Sequence, residues 1–199
     1  ELGRFYGRLV PAVRKADPDH MIMVEGNWYA TDFSMFSLPS LDGNLCYQFH
    51  KYWDKNGPNS IKSRVELRER LRAPVWLGET GENSHRWYAR CVQLMDEAGI
   101  GWCFWPWKRR GGGCVEAVEP PPAWAKVSAA LGGKDDAPRM TKSEMVTGLM
   151  GLADALKLER CREDEATVRA LRGEEPPRVA RIPGRLEAAD WTRCTARRK

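Results

Sequence analysis

No apolar run in this 199-residue chain approaches the ~18 residues that a membrane-spanning helix needs. That excludes a helical membrane protein, and no secretory leader is visible. The six cysteines (Cys46, Cys91, Cys103, Cys114, Cys161 and Cys194) never form a C-x-x-C pair, so a structural zinc site is not expected and no metal or cofactor is called for. Cys46 and Cys103 fall inside apolar, strand-like runs and read as buried thiols. There is no G-x-x-x-x-G-K-[ST] phosphate loop. The formal net charge is +5, but its basic surplus gathers in Arg193 to Lys199 without aromatic interleaving. That pattern fits a solvated tail and not a nucleic-acid-binding face. The chain also falls short of the ~250 residues of a closed eight-stranded α/β barrel. It opens on Glu1 with helix-like sequence at once, and so reads as a piece of a longer protein with any export signal upstream.

What is abundant is tryptophan, nine residues in all. Trp28, Trp53, Trp76, Trp102, Trp105 and Trp107 lie in or just after apolar runs. Indole faces stack on the C–H faces of sugar rings, although most buried tryptophan is simply core. Their position at the ends of predicted strands matters more than their number.

The hydrophobic pattern alternates between two periods. Leu2, Phe5, Tyr6, Leu9, Val10 and Val13 predict an amphipathic helix over 2–16, kinked at Pro11. MIMVEG (Met21 to Gly26) is a short buried strand. A loop with room for a short helix follows to Asn44, and LCYQFH (Leu45 to His50) is a second strand. A charged helix over Ser60 to Arg72, capped by Ser60, buries Ile61, Val65, Leu67 and Leu71. PVWLGE (Pro74 to Glu79) is a third strand, and Ser84 caps a helix that Gly99 stops. GWCFWPW (Gly101 to Trp107) is a fourth strand, and Pro122 to Leu131 a closing helix. Strand and helix in turn, at 25–30 residues per unit, predict a parallel sheet. The fold class expected is α/β, a partial (β/α)8 barrel of about four parallel strands with a helical and irregular tail. Three segments are expected: the half-barrel over 1–134, a helical linker region over 135–180, and a truncated module start over 181–199. In the linker region, helices over 142–158 and 164–172 are expected, the first with Met145, Leu149, Leu152 and Leu156 on one face.

Three predicted strand ends carry chemistry: His50-Lys51-Tyr52, then Glu79, then Trp105 and Trp107. In a parallel barrel these ends converge on one mouth. A carboxylate can attack an anomeric carbon, a phenol and an imidazole can orient it, and an aromatic face can support an oxocarbenium-like sugar. Taken singly, each has a blander reading. Glu79 could be a capping or ion-paired residue, His50 a core histidine, and Trp107 core as readily as subsite. Glu82, His85 and His20 read as surface residues. Arg109-Arg110-Gly111-Gly112-Gly113 resembles a barrel phosphate loop, but it reads better as a flexible loop.

The strings VEGNWYATDF, YQFHKYW, VWLGETGENS and GWCFWPWK, in this order and spacing, resemble the second half of glycoside hydrolase family 5. That family comprises retaining (β/α)8 cellulases and their relatives. The resemblance covers residues 1–132 and implies Glu79 as nucleophile, with Tyr52 hydrogen-bonded to it. It implies that His50 contacts sugar and carboxylate, that Trp105 floors the glycosyl-enzyme subsite, and that Trp28 and Trp107 bind substrate. The family's acid/base, a Glu after an Asn at the end of the fourth strand, would lie on a strand just before Leu2, and so outside this chain. Glu25 ends a strand, but at a different position.

RIPGRLEAADW (Arg181 to Trp191) is similar to the opening strand of family 6 carbohydrate-binding modules. Its Glu187-Ala188-Ala189 replaces the usual E-A-E, which puts any calcium site there in doubt. The function these resemblances imply is that of an extracellular, retaining endo-β-1,4-glucanase fragment. It would be inactive alone and would self-associate through exposed sheet edges. A non-catalytic, sugar-binding or assembly-forming half-barrel is the alternative. β-Glucan or a related polysaccharide is the expected partner, with no nucleic acid and no membrane.

Overall fold

The computed structural model describes residues 1–37, 41–132 and 137–176. Its centre is a four-stranded parallel sheet in the order β1 (Ile22–Glu25), β2 (Leu45–Lys51), β3 (Val75–Thr80) and β4 (Gly101–Trp102). The helices that return the chain are α1 (Leu2–Ala16), ahead of β1, then α3 (Pro58–Leu71) and α4 (His85–Glu97). Neighbouring strands in chain order are neighbours in space, as half of an α/β barrel requires.

The core lies between this sheet and its helices. Val24, Tyr47, Phe49, Leu77, Leu71 and Met95 are almost fully buried, and Leu67, Ile61 and Leu94 pack beside them. α1 contributes Val10 and Tyr6 to this layer. Its Arg14 forks onto Asp42 at 3.0 and 2.9 Å, which fixes the helix to the approach of β2.

α1 runs from Leu2 to Ala16 with Pro11 inside it. Several local expectations are corrected. The apolar face of α1 is only partly covered: Val10 is buried and Tyr6 packs on the core, while Phe5, Leu9 and Val13 stay exposed, as do Met21 ahead of β1 and Met23 within it. Gly57, not Ser60, is the N-cap of α3, with Pro58 in the first turn, and Ser60 Oγ donates to Gly57 O instead. Ser84 does cap α4, accepting from Trp87 N, and Gly99 follows that helix at φ +61. The fourth strand pairs only over Gly101–Trp102, and further on a single bridge joins Gly81 to Trp105. Cys103, just past that strand, is exposed and not buried, since among the described residues no further strand pairs with β4; Cys46 is buried.

A second, small sheet follows. β5 (Lys108–Arg110) pairs in parallel with β6 (Glu116–Val118), and β7 (Arg162–Glu163) pairs antiparallel with β6. The Arg-Gly loop is therefore part strand, and Gly113 N is pinned by Asp164 Oδ2 at 3.0 Å. α5 (Ala123–Leu131) packs on α6 (Lys142–Ala155), and α7 (Glu165–Leu171) packs on α4. These contacts dock residues 142–171 onto the half-barrel. α6 does not dock through Leu149, which is exposed. It docks through Gly148, whose bare Cα lets Val127 approach where a Cβ would lie 2.3 Å from its methyl.

Two expected outcomes follow from this packing. Leu77 is 0% exposed in the central strand β3. Leu77→Ala is expected to cost ~2–5 kcal/mol, read from urea unfolding. The Glu144 carboxyl is held down to about 2 by Lys126 of α5, then by the Thr141 backbone and hydroxyl. A carboxyl lowered on folding stabilises fully above the ordinary value of ~4.3 and loses that contribution as pH falls. The α5–α6 contact is thus expected to loosen as pH drops from ~4 toward 2. Amide exchange across α6 checks this, and Glu144→Gln should flatten the dependence.

Candidate active site

β2 and β3 pair residue for residue from Tyr47↔Val75 to Phe49↔Leu77, and then the register slips so that His50 faces Glu79. The extra residue on β3 is Gly78, a β-bulge next to the site. A Cβ on Gly78 would stand 2.1 Å from Gln48 Cδ. With hydrogen there instead, the Gln48 side chain crosses Gly78 and donates Nε2–H to Glu25 Oε1 at 2.5 Å. One glycine thus sets two features: the alignment of His50 with Glu79, and the anchoring of Glu25.

Around Glu79 the contacts are close. Tyr52 Oη donates to Glu79 Oε2 at 2.8 Å. His50 Nδ1 lies 3.4 Å from the same oxygen, and His50 Nε2 lies 3.6 Å from Glu25 Oε1. The imidazole therefore stands between two carboxylates, and its Nε2 is buried with no hydrogen bond in reach among the described residues. Burial first, and then the bond to Glu79, push the Tyr52 phenol well above its ordinary pKa. It stays a donor, which suits a group that holds a carboxylate ionised.

The turn after β2 is fixed by Lys51, which is 5% exposed. Its ammonium pairs with Asp54 Oδ1 at 2.8 Å, donates to the Asp54 and Lys55 carbonyls, and sits 5.1 Å from the Trp87 ring centroid. Trp87 Nε1 donates to Asp54 O at 2.9 Å. This cluster fixes the backbone on which Tyr52 and Trp53 stand.

Glu79, His50 and Tyr52 line one cleft of about 740 Å³, together with Trp28, Tyr29, Trp53, Phe49 and Arg64. Trp28, Tyr29 and Trp53 expose most of their rings along its walls. Trp28 and Tyr29 belong to α2 (Asn27–Ala30), a single turn in which both have left-handed φ, near +52° and +54°. Of the residues singled out in the sequence, Trp105 and Trp107 do not line this cleft. Trp105 is held beside β3 by its backbone: its N–H donates to Thr80 O at 2.7 Å, and its carbonyl abuts Gly81. Tyr29 is not among the residues expected at the site, and Trp53 is noted only among the tryptophans in or just after apolar runs. Trp53 could have been found from its place beside Tyr52, with ring centroids 5.6 Å apart. His20 is an exposed partner of Asp17, while His85 contacts Thr167 of α7 at 3.1 Å. Among the described residues no cluster of His, Cys, Asp and Glu could hold a metal ion.

Several solved structures are similar to part of this chain. The clostridial cellulose synthase subunit Z from Clostridioides difficile is 14% identical, with a TM-score of 0.47, over 75% of this chain and 55% of that one. A β-mannanase of Thermomonospora fusca bound to mannohexaose is 20% identical, with a TM-score of 0.40, over 56% of this chain and 40% of that one. A triple variant of the endo-β-1,4-glucanase from Xanthomonas axonopodis pv. citri is 16% identical, with a TM-score of 0.43, over 76% of this chain and 55% of that one. The chain thus spans about half the length of these proteins. No curated protein matches it. The expected module start at 181–199 lies outside the described residues, and the family match does not reach it. That match is to cellulase, glycosyl hydrolase family 5, and it runs from residue 2 to residue 111. It takes in both β2 and β3 and every residue around Glu79 named above, so the chain belongs to glycosyl hydrolase family 5.

Proposed function

We propose that this chain carries the nucleophile half of a retaining β-glycanase site, with Glu79 as the nucleophile. The observation that carries this reading is the 2.8 Å bond from Tyr52 Oη to Glu79 Oε2, at the ends of adjacent parallel strands and inside an aromatic-walled cleft. In the first step, Glu79 attacks the anomeric carbon and the glycosidic oxygen leaves with the bonding pair, giving a glycosyl ester. Tyr52 and His50 hold the attacking carboxylate in place. The exposed rings of Trp28, Tyr29 and Trp53 offer stacking faces to a polymer of β-linked sugars. We propose an extracellular setting for the reaction, because a long β-linked polymer does not cross a membrane unaided.

Protonation of the leaving oxygen requires a second carboxyl, roughly 5–5.5 Å from the first in a retaining pair. The sequence has no Asn-Glu to supply it. General acid catalysis is typically worth ~10²–10⁴-fold, so the chain by itself is expected to release little reducing sugar from β-glucan. The open edges of β1 and β4, with Phe5, Leu9, Val13, Met21 and Met23 exposed on one flank, favour self-association. Light scattering reads that directly.

A substrate with a leaving group that needs no proton isolates the role of Glu79. Incubation with a dinitrophenyl 2-deoxy-2-fluoro-β-cellobioside is expected to add one fluorocellobiosyl group to the peptide containing Glu79 and to release dinitrophenolate. Glu79→Gln is expected to abolish the adduct. An adduct on another carboxylate, or none in the unmodified chain, would remove the assignment.

A further inference from the structure

Tyr52 orients Glu79, and something must orient Tyr52, which lies one residue past the end of β2. Its carbonyl oxygen accepts Asn83 Nδ2–H at 2.8 Å. Asn83 belongs to the loop between β3 and α4, four residues beyond Glu79. The segment carrying Tyr52 and the segment carrying Glu79 are therefore joined twice, by phenol to carboxylate and by amide to carbonyl, each at 2.8 Å.

The amide is itself fixed. Asn83 Oδ1 accepts from Ser84 N at 2.8 Å, which leaves the nitrogen end turned to Tyr52. The backbone N–H of Asn83 donates to Tyr88 Oη at 2.9 Å. Tyr88 is 3% exposed, stands edge-on to Phe104 with centroids 5.1 Å apart, and packs with Ala89 and Ala170. Ala170 is on α7, as is the buried Thr167, whose hydroxyl meets His85 Nε2 at 3.1 Å. α7 is capped by Asp164, which accepts from Thr167 N. The brace therefore ends on residues 164–170, outside the stretch that matches the family.

We infer that Asn83 is a positioning residue for Tyr52 and, through it, for Glu79, with Tyr88 and α7 as its backing. Asn83 does not touch Glu79 in this arrangement. It acts by holding the backbone from which the phenol reaches. The inference rests on the reading of Glu79 as nucleophile only for its effect on reactivity; the effect on geometry stands independently.

The test uses the unmodified chain, Asn83→Ala and Tyr88→Phe. Asn83 is exposed, and phenylalanine keeps the Tyr88 ring packing, so both variants are expected to fold. A phenolic proton bonded to a carboxylate exchanges slowly and resonates downfield; Tyr52→Phe assigns it by its disappearance. In Asn83→Ala the resonance is expected to broaden or vanish, and in Tyr88→Phe to weaken. With the fluorocellobioside, the limiting labelling rate of Asn83→Ala is expected to fall tenfold to a hundredfold, while half-saturation shifts less than about twofold, because misplacement by ~1 Å acts on the chemical step. An unchanged Tyr52 resonance in Asn83→Ala overturns the inference. A chain that is never labelled but shows the expected loss of resonance upholds the positioning role and overturns the glycosidase reading instead.

Discussion

The bare Cα of Gly78 is the constraint on which the site depends. A parallel strand pair in regular register would place His50 opposite Gly78 and leave Glu79 one step out of line, on the other face. The bulge at Gly78 absorbs that step and brings His50 beside Glu79. The same missing side chain leaves the channel through which Gln48 reaches Glu25. Any larger residue would force a choice between displacing Gln48 and restoring the regular register, and either choice separates groups that now share a few ångströms.

Much of this arrangement was legible in the sequence because it rests on local, periodic signals. The apolar runs of β2 and β3 are continuous, as strands buried on both faces require, and both were placed within a residue or two. The Ser84 cap was readable from a serine ahead of an apolar-periodic run, although the same signal at Ser60 misplaced a cap that belongs to Gly57. Glu79, His50 and Tyr52 converge because parallel strands carry their C-terminal ends to one edge. Topology brings these ends to one edge, and the register slip at Gly78 then sets His50 beside Glu79.

What was not legible depends on neighbours distant in sequence. Cys103 reads as a core thiol in its own run, yet it is exposed, and among the described residues no strand lies beyond β4. The helical pattern of α6 points to its leucines, yet close approach to Val127 selects Gly148 as the contact. Period alone cannot separate a face that is apolar from a face that is covered, and Phe5, Leu9 and Val13 show the same ambiguity on α1. The Arg109 to Gly113 stretch looks flexible by composition, but Asp164, some fifty residues on, supplies the acceptor that pins it. Trp105 and Trp107 follow the expected strand in order without lining the cleft, although a bridge from Gly81 still holds Trp105 beside β3.

The exposure of Cys103 has a practical side. Of the other thiols in the described residues, Cys46, Cys91 and Cys114 are buried and Cys161 is partly covered. Burial also raises the Cys46 and Cys91 thiols above their ordinary pKa, which lowers their fraction of reactive thiolate. A small electrophile added to the folded chain therefore meets Cys103 before it meets those three. Its position past the last strand of the open sheet makes the modification rate of that sulfur a gauge of whether anything is seated along the edge: fast when the edge is bare, slow when another polypeptide lies against it.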